Sequence, residues 1–174
     1  MDSHLGNAET YLADDVPAWA KANLQIDLSH LAVGGFSFGG TCALQLALRR
    51  PDVYPTFLDI SGQAQPTLGD HTQTVQQAFG GDEAAFDRSD PLHELVTTRY
   101  PGTAGVFAAG RDDGDYGPQA EQLAAATRAA NIPVTLHVLP GGHSWTIAAN
   151  GLTDALPWLG ARTNLLDPTT PAPG

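Results

Sequence analysis

Ser37 stands where the chain must pass from strand to helix within a single residue. An apolar run, Leu31-Ala32-Val33-Gly34, precedes it. A helix-like stretch, Thr41-Cys42-Ala43-Leu44-Gln45-Leu46-Ala47-Leu48, follows and stops before Pro51. The turn between them, Gly35-Phe36-Ser37-Phe38-Gly39, reads G-x-S-x-G. A strand that turns sharply into a helix at a serine strains that residue's backbone and lifts its hydroxyl above the sheet. Only small residues fit two positions to either side of it, hence the paired glycines. A hydroxyl is a poor nucleophile until a base takes its proton. The pattern therefore predicts an acid and then a histidine downstream, in that order.

Both occur. His143 lies in Leu139-Pro140-Gly141-Gly142-His143-Ser144-Trp145, just past a strand-like run, Val134-Thr135-Leu136-His137-Val138-Leu139. Before it, the apolar run Gly105-Val106-Phe107-Ala108-Ala109-Gly110 ends in Arg111-Asp112-Asp113-Gly114-Asp115. Each member of a Ser, Asp, His set then falls at the carboxyl end of a parallel strand, where open α/β sheets keep their sites. The order is that of an α/β-hydrolase triad.

The chain resembles the Putative esterase branch of the α/β-hydrolases, which holds esterase D-like enzymes, feruloyl esterases and mycolyltransferases. The likeness is carried by Glu9-Thr10-Tyr11-Leu12 and Val16-Pro17 on an entry helix, by Gly34 to Gly40 at the elbow, and by Gly141-Gly142-His143-Ser144-Trp145. It runs from about Ala8 to Leu159. The family's acid follows the strand before the histidine strand in a Gly-x-x-Asp pattern, which Gly110-Arg111-Asp112-Asp113 matches, and this favours Asp113. Asp112, Asp115 and Asp59 are the alternatives. The doubled carboxylate and the short stretch between acid and histidine depart from the mycolyltransferase branch, whose acid is a glutamate.

The resemblance implies a serine esterase or acyltransferase acting on small-molecule carboxylic esters. Ser37 would be its nucleophile, His143 its base and Asp113 its acid, with no cofactor and no metal. Phe38 would supply an oxyanion donor through its backbone N–H. Phe36 and Trp145 are the expected substrate-pocket residues, with burial in the core as the equal alternative for Trp145. The mycolyltransferase likeness alone points to the cell envelope or secretion. Two other readings share these residues: a non-catalytic interaction domain that keeps the elbow for packing, and a serine peptidase of the same fold.

Composition narrows the partners. The chain has 174 residues and a formal charge of −11, with Lys21 as its single lysine. One domain is expected from that length, and such a surface repels nucleic acid and anionic membranes. No run approaches the ~18 apolar residues of a membrane span. Met1-Asp2-Ser3-His4-Leu5-Gly6 carries no basic segment or apolar core and is not expected to act as a signal peptide. One cysteine, Cys42, excludes an internal disulfide and reads as a small buried apolar residue. The carboxylates of 112–115 do not fall at calcium-loop spacing.

The remaining patterns predict an α/β sandwich of the α/β-hydrolase kind, here a C-terminal portion with about four parallel strands. Strands are expected over 31–35, 54–60, 106–109 and 134–139. Helices are expected over 8–23 with a kink at Pro17, over 38–50, 72–78, 83–86, 92–98 and 118–130, and over 147–159 with interruptions near Gly151 and Pro157. Asp82 and Asp90 read as N-caps. Residues 1–162 form the expected partial catalytic domain and 163–174 a proline-rich tail. The family's front strands, and the loop that brings a second oxyanion donor, have no counterpart before Leu31. A piece of a longer product is the favoured reading. The nucleophile strand then becomes a sheet edge, so self-association or pairing with an upstream segment is expected.

Overall fold

The computed structural model describes residues 2–3 and 5–165. Met1, His4 and residues 166–174, which hold most of the expected tail, lie outside the described residues. The chain opens with two short antiparallel strands, β1 (Asp2–Ser3) and β2 (Gly6–Asn7). A helical segment follows: α1 (Ala8–Thr10), a π-helical turn (Tyr11–Asp15) and α2 (Val16–Asn23). The kink expected at Pro17 is replaced by this π turn, in which the Val16 N–H reaches back to the Tyr11 carbonyl. Proline lacks an N–H and crowds the carbonyl four residues before it, and widening the preceding turn relieves both.

The sheet that carries the fold comprises β3 (Ala32–Phe36), β4 (Thr56–Ile60), β5 (Ala104–Gly110) and β6 (Val134–Leu139), parallel and ordered β3-β4-β5-β6. β4 starts at Thr56 rather than Tyr54. The Tyr54 N–H is already spent on the Arg50 carbonyl at 2.9 Å, and Pro55 has none to give. α3 (Phe38–Arg49) joins β3 to β4, and α4 (His71–Phe79), α5 (Glu83–Asp87) and α6 (Pro91–Thr97) lie between β4 and β5. Asp82 and Asp90 cap α5 and α6 through their side chains. Asp70 caps α4 in a reciprocal pair with Gln73 that the sequence reading missed. α7 (Gly117–Ala129) leads to β6, and α8 (Trp145–Arg162) closes the domain.

Side-chain alternation divides the central strands between two cores. Phe57 and Phe107 point to one face, meeting edge to face at 5.3 Å among Leu44 and Leu48 of α3 and Leu123 of α7. Leu58, Ile60, Val106 and Ala108 point to the other, beneath Ile147 and Ala155 of α8. β4 and β5 are buried along their whole length, whereas β3 and β6 alternate with solvent as edge strands do. β3 thus lies at one edge, with β4 as its only neighbour among the described residues.

α8 runs without the expected interruptions. Gly151 faces the sheet, where a Cβ would lie 3.1 Å from the Ala108 Cβ and 3.2 Å from the Ile60 Cδ1, so its bareness sets how near the helix can lie. Pro157 sits on the exposed side, as does Thr153, whose carbonyl loses its helical donor there. The entry segment is anchored to the outer side of α3. Glu9 accepts from Arg49 at 2.6 Å, and the Tyr54 hydroxyl donates to the Leu12 carbonyl at 2.6 Å. Ala13 packs on Leu46.

Candidate active site

Ser37 joins β3 to α3 with φ 57° and ψ −123°, a conformation few non-glycine residues adopt. It is held there by its own N–H, which donates to the Ile60 carbonyl at 2.8 Å, and by its carbonyl, which accepts from Gly40 at 2.8 Å and Thr41 at 3.2 Å. The Ser37 side chain does not cap the helix it precedes. The hydroxyl is therefore free for another partner. The N–H of Phe38, the first residue of α3, has no intrahelical acceptor and carries the positive end of the helix dipole.

The partner is His143. Its Nε2 lies 2.9 Å from Ser37 Oγ, and its Nδ1 lies 3.1 Å from Asp113 Oδ2. Asp113 is buried, with its other oxygen accepting from the Tyr116 N–H at 3.0 Å. The loops carrying Asp113 and His143 are joined by backbone: Arg111 donates to Leu139 at 2.7 Å, and Asp112 donates to Gly141 at 2.9 Å. Gly141 adopts φ 117°, and its carbonyl comes so near Gly110 that a Cβ there would lie 2.3 Å away. Glycine is required at both positions for the loops to meet.

The structure thus brings together Ser37, His143 and Asp113, and leaves the other acids apart. Asp112 and Asp115 are exposed. Asp59 is fully buried beside the first turn of α3, where Oδ1 accepts from the Gly62 N–H at 2.8 Å and Oδ2 has no partner. Burial pushes its carboxyl up to about 7. The carboxyl occupies space left by two glycines: a Cβ on Gly40 or Gly62 would lie 2.3 Å from Oδ1.

The aromatic residues divide around the elbow. Phe36 follows the strand alternation onto the α8 face and stacks on the His143 ring at 4.7 Å. Trp145, 80% exposed, tilts against Phe36 at 5.3 Å, outside the core. Phe38 turns the other way and is 64% exposed. It walls a groove of about 550 Å³ with Leu5, Tyr11, Cys42, Leu68 and Phe79. Cys42 is half buried on that wall, where burial raises its thiol pKa. Sequence reasoning missed Tyr116, whose ring covers the second face of His143 at 4.3 Å. Its only signal is an aromatic residue just past the acid.

Three other described histidines have acidic partners. His30 bonds Asp27 at 3.0 Å and Asn164 at 2.8 Å, and His71 bonds Glu83 at 3.1 Å. His137 faces Asp154 at 4.0 Å. Among the described residues, no three His, Cys, Asp or Glu side chains converge as a metal site. Nor is any helix among them long and apolar enough to cross a membrane.

A family model described as Putative esterase matches residues 4–159. The chain is 36% identical over 173 residues to an uncharacterized protein of Corynebacterium glutamicum, covering 95% of this chain and 41% of that protein. It is 25% identical over 150 residues to the S-formylglutathione hydrolase of Paracoccus denitrificans, covering 85% of this chain and 54% of that one. Among solved structures, an S-formylglutathione hydrolase from Agrobacterium tumefaciens superimposes with a TM-score of 0.75 at 22% identity, over 88% of this chain and 57% of that one. The chain spans about half the length of the curated relatives it matches.

Proposed function

This chain belongs to the Putative esterase family of α/β-hydrolase fold, and on that premise we propose that it carries the catalytic half of a serine-dependent carboxylic-ester hydrolase. The observation that supports the reading is the unbroken run from Ser37 Oγ through His143 to Asp113, at 2.9 and 3.1 Å. An ionised Asp113 only accepts hydrogen bonds, so Nδ1 carries the imidazole proton and Nε2 turns its lone pair to Ser37.

Ser37 Oγ attacks the ester carbonyl carbon as its proton passes to His143 Nε2. The tetrahedral oxyanion takes a hydrogen bond from the Phe38 N–H at the head of α3. Collapse breaks the ester C–O bond, and His143 delivers its proton to the departing alcohol. The acyl group stays on Ser37 until water, or an acceptor alcohol, repeats the sequence in reverse. The acyl part fits the groove beside Phe38, while Phe36 and Trp145 flank the approach on the histidine side. A second oxyanion donor would have to come from a segment that pairs with the edge of β3.

A fluorophosphonate probe tests the reading. It should phosphonylate Ser37, and Ser37→Ala should abolish labelling together with hydrolysis of a short-chain nitrophenyl ester. Turnover that survives in the alanine variant would overturn it. A chain extended upstream that still neither labels nor turns over would favour the non-catalytic interaction domain.

A further inference from the structure

His143 is exposed at its edge but has an aromatic ring stacked on each face. Phe36 covers one at 4.7 Å and 28°, and Tyr116 covers the other at 4.3 Å and 27°. Two near-parallel rings prevent the imidazole from tilting or flipping. The bonds to Asp113 and Ser37 fix the remaining in-plane rotation. The rings come from the two ends of the same bonded run. Phe36 is the residue before Ser37, and Tyr116 donates its backbone N–H to Asp113 Oδ1 at 3.0 Å.

From this geometry we propose that Tyr116 is a positioning residue for the base: it aligns the imidazole and favours its protonated form through the face of its ring. The inference deepens the reading of Ser37, His143 and Asp113 given above and rests on it. When the serine proton reaches His143, the cation forms between two electron-rich faces, and a cation over an aromatic face is attracted by the ring quadrupole. The hydroxyl has no part in this. The titratable groups against the imidazole are Asp113 on its Nδ1 side and Tyr116 on one face. β3 presents Phe36 and the elbow presents Ser37, and the first residue of α8, Trp145, reaches Phe36. None of these three is an acid or a base near neutrality.

Tyr116 is half buried, and Tyr116→Leu keeps apolar bulk while removing the π face. The test is an NMR titration of the His143 ring in the full chain, assigned with His143→Asn, together with the rate of fluorophosphonate labelling against pH. Tyr116→Leu should lower the pH at which His143 protonates and slow labelling about tenfold, whereas Tyr116→Phe should leave both as in the parent. An unchanged titration in Tyr116→Leu would overturn the proposal, as would a Tyr116→Phe variant that behaves like the leucine one. The titration does not depend on turnover. If neither the parent nor a chain extended upstream labelled, the esterase reading would fall while the effect of the ring on His143 could still be read.

Discussion

Gly35 and Gly39 meet across the elbow so closely that a Cβ on Gly35 would stand 2.3 Å from the carbonyl carbon and oxygen of Gly39. The reverse does not hold, because a Cβ on Gly39 would meet nothing within 4 Å. The G-x-S-x-G pattern is symmetric in sequence but asymmetric in space. The near backbone contact is made by the first glycine alone.

That asymmetry predicts different outcomes for one substitution at two sites. Gly35→Ala must push backbone against backbone, and it should cost about 2 kcal/mol or more and suppress Ser37 labelling. Gly39→Ala lies in the first turn of α3 and exchanges glycine for the best helix former. Stability should be unchanged or up to ~1 kcal/mol higher. Urea denaturation of both variants checks this, and equal losses would contradict it.

Asp113, not Asp112, holds the imidazole. Asp113→Asn should therefore lower kcat far more than Asp112→Asn, since losing the orienting carboxylate costs on the order of 10⁴-fold in serine proteases. Steady-state kinetics on an active form would decide. A more damaging Asp112→Asn would place the acid one residue earlier. In either case kcat/KM should fall on acidification, because a protonated His143 cannot accept the Ser37 proton.

Asp59 makes stability depend on pH in a defined direction. Burial raises its folded pKa from the ordinary carboxylate range to about 7, so its contribution is complete below the unfolded value and is lost as pH rises through about 7. Asp59→Asn cannot ionise. Its Tm relative to the parent should be higher at pH 8 than at pH 5, by roughly 5 °C. Thermal melts at the two pH values measure it. An offset that does not change with pH would mean that Asp59 does not titrate in the folded chain over this range.

β3 has one ladder partner among the described residues, and it leads directly into Ser37. Unpaired edges of this kind recruit another strand. The chain by itself should therefore associate in light scattering and hydrolyse esters poorly, since one oxyanion donor is worth ~3–4 kcal/mol. Adding the upstream segment should raise turnover and suppress self-association together. A stable monomer with full activity would show that the edge and the oxyanion hole are already complete.

The elements were legible where their signals are local. The elbow, the strands and helices around it, and the caps at Asp82 and Asp90 follow from patterns a few residues long. Such patterns act through backbone geometry and nearest neighbours. Where the reading went astray, distant contacts decided. Gly151 and Pro157 look like helix breakers, but Ile60 and Ala108 give the glycine a surface to lie against, and Pro157 falls on the exposed side of the helix. Asp59 was one carboxylate among several until the sheet buried it against Gly40 and Gly62. Tyr116 had no motif at all. Its ring reaches His143 only because β5 and β6 lie side by side and their loops cross at Gly110 and Gly141. Ser37 and His143 are 106 residues apart in sequence. Sequence alone could name the candidate groups that the structure brings together, because a motif names its side chains. Which carboxyl ionises, which ring covers the base and which glycine bears the contact depend on burial and packing, and these exist only once the sheet has assembled.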